Sequence, residues 1–479
     1  MLFNSLEFLV FFPIVIALYF AIPYRFRWIL LLVASYYFYM CWNYKYVLLI
    51  VVSTVVDYFT GILLYRSNRK RIRTLLLLGS LFTNLGLLFF FKYFNFFGGA
   101  INGIFDRFNI FYDIPAYNFL LPVGISFYTF QTLSYTIDIY KRKQEPEYHF
   151  GRFALFVSFF PQLVAGPIER SVNLLPQFRK EFDFDYERVK NGLMLMGWGF
   201  FKKIVIADRL AEYVNIVYNN PADFEGIPNI IATFFFTFQI YCDFSGYSDI
   251  AIGAAMIMGY RLMTNFRRPY FAMNIREFWQ RWHISLSTWF RDYVYIPLGG
   301  NRVVKWRWYY NLFITFLVSG LWHGANWTFI IWGAIHGFYL VFAIWTEKYR
   351  EGFNRWIGLQ KYPALYKFVQ VFVTFVLVYV SWIFFRANNV SEALFILKNH
   401  FLFGGDQVVN LFKIRADFAI SFIAIGVLIL IDFMEERFEL SFRLNRLPGV
   451  QKWAMLVFFI CVLFVFAVWN ETDFLYFQF

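Results

Sequence analysis

Stretches of about 20 mostly apolar residues, enough to cross a hydrocarbon layer, recur along this sequence from residue 6 to residue 470, with short connectors. Wherever lipid surrounds such a chain, its backbone polar groups have to be satisfied within its own helices. Composition agrees: 60% of the residues are apolar and 16% charged, against roughly a quarter charged in a soluble domain. Soluble, coiled-coil and disordered classes are excluded together. The expected fold is an all-α polytopic membrane protein, a single integral membrane domain over residues 1–479.

The candidate segments are 6–22, 28–42, 46–65, 74–94, 119–140, 190–206, 228–258, 309–345, 367–385, 417–433 and 453–470, about eleven transmembrane or re-entrant pieces. Two of them, 228–258 and 309–345, are too long and too interrupted by polar residues for one plain helix each. Segment 152–168 carries Pro161 and Pro167 in an apolar run and reads as a broken or re-entrant element. Irregular backbone at membrane depth must be shielded by protein or line a wet cavity, so the middle of the chain is expected to hold a cavity. The first segment lacks a basic leader and a small-residue cleavage site and reads as a retained span.

The net charge of +13 fits basic loops on the cytoplasmic side facing anionic headgroups or an anionic co-substrate. A nucleic-acid partner is not expected, because no aromatic-plus-basic module lies outside the apolar segments. Arg66–Arg73 and Lys141–Lys143 are cytoplasmic clusters, and so are Arg437, Arg443, Arg446 and Lys452. That assignment leaves both termini and the loop 95–118 on the outer side. Cys41, Cys242 and Cys461 lie singly in apolar surroundings, which predicts small buried hydrophobes with neither disulfide nor metal site.

No G-x-S-x-G elbow, phosphate loop or H-E-x-x-H pair is present, so five histidines carry the search for chemistry. His323, in Ser319-Gly320-Leu321-Trp322-His323-Gly324-Ala325-Asn326, sits inside an apolar run, where an ionisable ring is a functional hypothesis by default. Gly320, Gly324 and Ala325 would let a substrate or another helix come close. The alternative for His323 is a neutral ring bonded to a carbonyl between helices. His283 lies in the amphipathic, basic stretch Trp279–Tyr293, and by itself reads as an interfacial polar residue. His336 reads as a hydrogen bonder in helix packing, and His149 and His400 as loop residues. Asp243 and Asp249 are six apart, off a common helical face, and read as structural hydrogen bonders at a helix break.

Four blocks carry a resemblance. They are Leu121–Gln131 (LPVGISFYTFQ), Phe160–Ile168 (FPQLVAGPI), Tyr241–Asp249 (YCDFSGYSD), and Arg281–Asn301 followed by Leu321–Gly324. Together, over about residues 119–340, the chain resembles the membrane-bound O-acyltransferase family, in particular its bacterial polysaccharide branch with the alginate O-acetylation subunits. It is also similar to the D-alanyl transfer proteins of teichoic acid modification. The resemblance implies helices ringed around a central tunnel, with His323 at the family's most characteristic histidine and His283 at its second position. It implies residence in a bacterial cytoplasmic membrane and transfer of a short acyl group, acetyl before D-alanyl, towards an extracytoplasmic polysaccharide. The donor would be a cytoplasmic thioester, acetyl-CoA or an acyl carrier protein, with no permanently bound cofactor. Donor phosphates suit the basic stretch Arg261–Arg307, with Arg281, Arg291 and Arg302 as candidate contacts. In this scheme His323 takes a proton from the attacking hydroxyl, while His283 orients the groups or stabilises the oxyanion. The terminal run Asp473–Phe479 resembles the tyrosine-bearing motif proposed as an acyl relay in related systems, which makes Tyr476 the candidate carrier. The other reading of that run is an aromatic belt closing the last span. An extracytoplasmic esterase-like partner would then complete transfer to the sugar. A transporter that passes donor or glycan without chemistry is the rival from another class.

Overall fold

The structure is a computed structural model that describes residues 1–108, 112, 114–117, 120–400, 415–440, 448–468 and 474–475. Among these residues every regular element is helical. Six helical stretches are long and apolar enough to cross a bilayer: Tyr24–Arg66, Lys70–Arg107, Trp327–Trp345, Pro363–Arg386, Ala416–Phe438 and Gly449–Phe466. The apolar helix Leu6–Ala21 is shorter. Large apolar side chains such as Phe82, Phe372 and Phe458 stand exposed along these helices, as lipid-facing groups do. The protein is a polytopic, all-α integral membrane protein.

The chain divides into two compact units, Met1–Met196 with Ser248–Thr264, and Gly197–Tyr247 with Asn265–Leu475. In the first unit the expected broken segment is present as helix Phe150–Ser158 and the short turn Phe160–Leu163. Pro161 has no N–H to continue the ladder. The Phe156 carbonyl near this break accepts from Gln131 Nε2 at 2.6 Å and Gln162 Nε2 at 2.8 Å. Phe160 N, the backbone donor four residues on from that carbonyl, goes to Ser35 Oγ at 3.0 Å instead, and the two side-chain amides take its place. Gly124 starts helix Ile125–Tyr140 at φ 76°, and a Cβ there would lie 2.6 Å from the Leu163 carbonyl. Only glycine permits both that conformation and that approach. Two of the resembling blocks therefore meet backbone to backbone. A buried polar knot sits among helices Val47–Arg66, Lys70–Leu88 and Ile125–Tyr140. Asp57 accepts from Ser80 Oγ at 2.5 Å and Asn84 Nδ2 at 2.9 Å, and Asn84 Oδ1 accepts from Ser53.

Three expectations are corrected. Residues 228–258 form one continuous helix, Ile227–Ile257, with no break at the two aspartates. Within the second unit the Asp243 charge is matched by Lys203, so it does not require the ladder to open. The outer loop expected from residue 95 is helical as far as Arg107. Of the three cysteines only Cys242 is buried; Cys41 and Cys461 are free and exposed on helix faces. By contrast, 309–345 is not one plain helix, as expected, but falls in two, Lys305–His323 and Trp327–Trp345. Gly324 is extended and ends the first, and the Asn326 side chain caps the second by accepting from Thr328 N at 3.1 Å.

Candidate active site

Both candidate histidines belong to the second unit. His323 is the last residue of helix Lys305–His323 and is 2% exposed. Its neighbours are rings: Trp322 and Trp332 at 5.0 Å between centroids and Phe385 at 5.5 Å. The His283 ring lies 6.4 Å from it. The two helices that flank the His323 turn are drawn together by glycine. A Cβ on Gly320 would sit 2.3 Å from the Phe329 carbonyl, and one on Gly333 2.4 Å from that of Phe316. The close approach foreseen around His323 is therefore made by a helix, which fixes the imidazole from behind.

His283 is not on an amphipathic surface helix. Helix Ile275–Arg281 opens with a reciprocal cap, in which Glu277 N donates to Asn274 Oδ1 at 2.9 Å and Glu277 Oε2 accepts from Met273 N at 2.8 Å. It ends at Trp282, and His283 turns into the left-handed region (φ 42°) before helix Ile284–Phe290. A non-glycine residue held there is strained and persists where the surroundings over-determine it. The ring is fully buried, 4.6 Å edge-on from Phe244. Asn265, which the sequence did not single out, is its anchor. Asn265 Oδ1 accepts from Ser285 N at 3.3 Å and Ser285 Oγ at 2.9 Å, which fixes that atom as the oxygen. The 3.1 Å contact of His283 Nδ1 with the same oxygen then requires Nδ1 to carry the hydrogen, leaving the lone pair on Nε2. Burial pushes the His283 imidazole well below its ordinary value, so it is neutral at pH 7. This tautomer suits an orienting group that accepts a hydrogen. It does not suit an oxyanion stabiliser, which must donate one.

His336, one helix away, is a packing residue, as its sequence context suggested. Trp279 Nε1 donates to its Nδ1 at 3.3 Å, and its Nε2 pairs with Ser381 Oγ at 2.9 Å. His149 caps helix Phe150–Ser158 through Nδ1. The arginines foreseen as donor contacts differ among themselves. Arg281 is held by Glu277 at 2.7 Å and Glu436 at 2.9 Å, and Arg268 joins the same Glu436 at 2.7 Å. Carboxylates thus already match the Arg281 charge. Arg291 pairs with Asp292 at 2.8 Å and Arg302 is exposed, so these two present charge at the surface. Tyr476, Arg443 and Arg446 lie outside the described residues.

A further charged cluster escaped sequence reading. Lys203, on the π-helical turn Phe201–Ala207, lies 2.7 Å from Asp243 and 2.8 Å from Asp208, all three buried. Its signal in the sequence was only a pair of lysines in an apolar run; the partners come from other elements.

Comparison with known proteins points to the same region. The family model described as membrane-bound O-acyltransferase matches residues 144–387, which hold both histidines. A protein of Pseudomonas putida named as a probable alginate O-acetylase is 37% identical over 100% of both chains. The peptidoglycan O-acetyltransferase of Helicobacter pylori is 33% identical over 89% of this chain and 86% of its own. The teichoic acid D-alanyltransferase of Bacillus subtilis is 29% identical over 44% of this chain and 55% of its own. His323 on its glycine-packed hairpin and His283 beside it both fall inside the matched range, and the family match over 144–387 with a relative 37% identical along its whole length shows that this chain belongs to the membrane-bound O-acyltransferase family and is an acyltransferase.

Proposed function

We propose that the protein moves a short acyl group, acetyl, from a cytoplasmic thioester towards an extracytoplasmic polysaccharide, with His323 as the proton acceptor. The carrying observation is the buried His323–His283 pair, 6.4 Å apart, with its tautomer set by Asn265. The acceptor hydroxyl gives its proton to His323 while its oxygen bonds to the acyl carbon. The carbon–sulfur bond then breaks, and the leaving thiolate takes the proton back from the imidazolium. His283 Nε2 orients the donor by accepting from an N–H of its thiol arm. Because both rings are shielded from water, the thioester is protected from hydrolysis until an acceptor arrives. The acyl donor is acetyl-CoA or an acyl carrier protein, and Arg291 and Arg302 offer its phosphates a basic approach.

Tyr476 is the proposed acceptor on the chain itself. A phenyl ester is more reactive than an alkyl one, so onward transfer to a sugar through an esterase-like partner runs downhill. Basic clusters on the cytoplasmic side give an inner-membrane protein with both termini outside. The names of the Pseudomonas and Helicobacter relatives support acetyl and a polymeric acceptor. The D-alanyl alternative draws on relatives that share a smaller part of the chain.

The test is His323→Ala in cells, with the envelope glycan analysed by mass spectrometry at matched membrane levels of the protein. Loss of O-acetyl groups is expected; normal acetylation removes His323 from catalysis. Purified protein with a labelled acetyl thioester separates an enzyme from a transporter, because a transporter leaves the thioester intact.

A further inference from the structure

Helix Arg415–Phe438 reaches the surroundings of His283 through its C-terminal end, and every residue concerned lies in the second unit. The Glu436 carboxylate takes two arginines at once. Arg268 Nε donates to its Oε2 at 2.7 Å, and Arg281 Nη2 donates to its Oε1 at 2.9 Å. These arginines stand on opposite arms of one backbone pairing, in which Arg267 N donates to the Arg281 carbonyl and Ile284 N to the Asn265 carbonyl, both at 2.9 Å. Asn265 precedes Arg268 on one arm, and His283 follows Arg281 on the other. One turn back along the same helix, Asp432 Oδ2 accepts from the Tyr241 hydroxyl at 3.0 Å. The Tyr241 ring lies 6.1 Å from Phe266 and 6.2 Å from Trp282, the chain neighbours of Asn265 and His283.

We infer that Glu436 is a positioning residue: it clamps together the two arms that carry Asn265 and His283, and so maintains the hydrogen bond that sets the His283 tautomer. The inference rests on the reading of His283 as the group that orients the donor, while the clamp stands on its own contacts. Each arm turns left-handed at a non-glycine residue, Arg268 at φ 46° and His283 at φ 42°, conformations that persist where the surroundings over-determine them. A carboxylate shared between two guanidiniums supplies that constraint, because both bonds are charge-assisted and each oxygen has its own partner. The two arms do not depend on it equally. Arg281 also holds Glu277 at 2.7 Å, whereas Arg268 has no second ion pair among the described residues. Loss of Glu436 therefore loosens the Asn265 arm first.

Two variants release that arm from opposite sides. Glu436→Gln keeps the shape but leaves one oxygen to accept from two guanidiniums. Arg268→Gln removes the other partner and leaves Arg281 with both its carboxylates. Transfer from a labelled acetyl thioester is measured in steady state with purified protein, and hydrogen exchange is followed in the peptide over 265–285. In both variants that exchange should speed up, and kcat should fall about three- to tenfold with less change in donor KM. The double variant Glu436→Gln with Asn265→Ala should be no slower than Asn265→Ala alone, since a residue acting through Asn265 then has nothing left to hold. Unchanged exchange overturns the clamp. Faster exchange with unchanged kcat, or losses that multiply in the double variant, overturns the positioning role and leaves a merely structural bridge. A rise in donor KM at unchanged kcat also overturns it, because the arginines then serve binding. Unchanged kcat in Asn265→Ala ends the His283 reading instead, while faster exchange in Glu436→Gln still upholds the clamp. If one single variant fails to fold, the other decides.

Discussion

The first unit and the second each bury ionisable groups among apolar helices, and the groups are treated differently. Asp57 is enclosed by Ser80 and Asn84, with Ser53 holding Asn84 in turn, a closed knot of hydroxyls and an amide. His336 is likewise occupied at both nitrogens by Trp279 and Ser381. His323 and His283 are walled by aromatic rings, and polar anchoring reaches His283 through Nδ1 and Asn265. A polar group deep in a membrane protein is therefore not in itself a sign of chemistry. The kind of enclosure separates the two cases: Asp57 and His336 are fixed by hydrogen bonds from side chains of neighbouring helices, whereas His323 and His283 are packed against aromatic rings.

The contrast can be broken by mutation, and the largest effect belongs to His323. His323→Ala should lower acyl transfer about 100- to 10,000-fold, the span of general acid–base catalysis, with unchanged membrane insertion. A drop of equal size in His336→Gln at matched folded protein would break the distinction. Asn265→Ala sharpens it. Loss of the bond that sets the His283 tautomer should cost about tenfold in kcat, with less change in donor KM, in steady-state kinetics of the purified protein. Asp57→Ala should do the reverse. It should lower stability by about 1–3 kcal/mol, seen as a lower thermal midpoint, while activity per folded molecule stays level.

The smallest effect is on pH. The His283 imidazole is harder to protonate folded than unfolded, so below about pH 6.5 the unfolded chain binds more protons. Stability should thus fall as the pH drops through that value and stay flat above it. Thermal midpoints at pH 7.5 and pH 5.5 check this, and His283→Gln should shrink the difference.

Much of this was readable along the chain. The long apolar helices follow from apolar length, the interruption of 309–345 from its length and polar residues, and the broken segment from Pro161. The family followed from four short blocks. What failed did so for one reason, that local rules see only neighbours in sequence. Asp243 was read as a hydrogen bonder at a helix break, and the break is absent because Lys203, its partner, comes from 40 residues away. His283 looked interfacial because nothing local says that its backbone turns left-handed against Asn265, 18 residues earlier. Of the two carboxylates on Arg281, Glu277 was within reach of a local rule at four residues' spacing, whereas Glu436 is 155 residues distant.

By itself, then, the sequence determined the solvent, the helical class and the family, since these depend on composition, period and motif. Tertiary structure alone decided that Asn265 sets the tautomer, that glycine faces bring one helix against the His323 turn, and that Glu436 grips Arg268 and Arg281 together. Each of these is a meeting of groups far apart in the chain, and such meetings exist only once packing has brought them within a few ångströms.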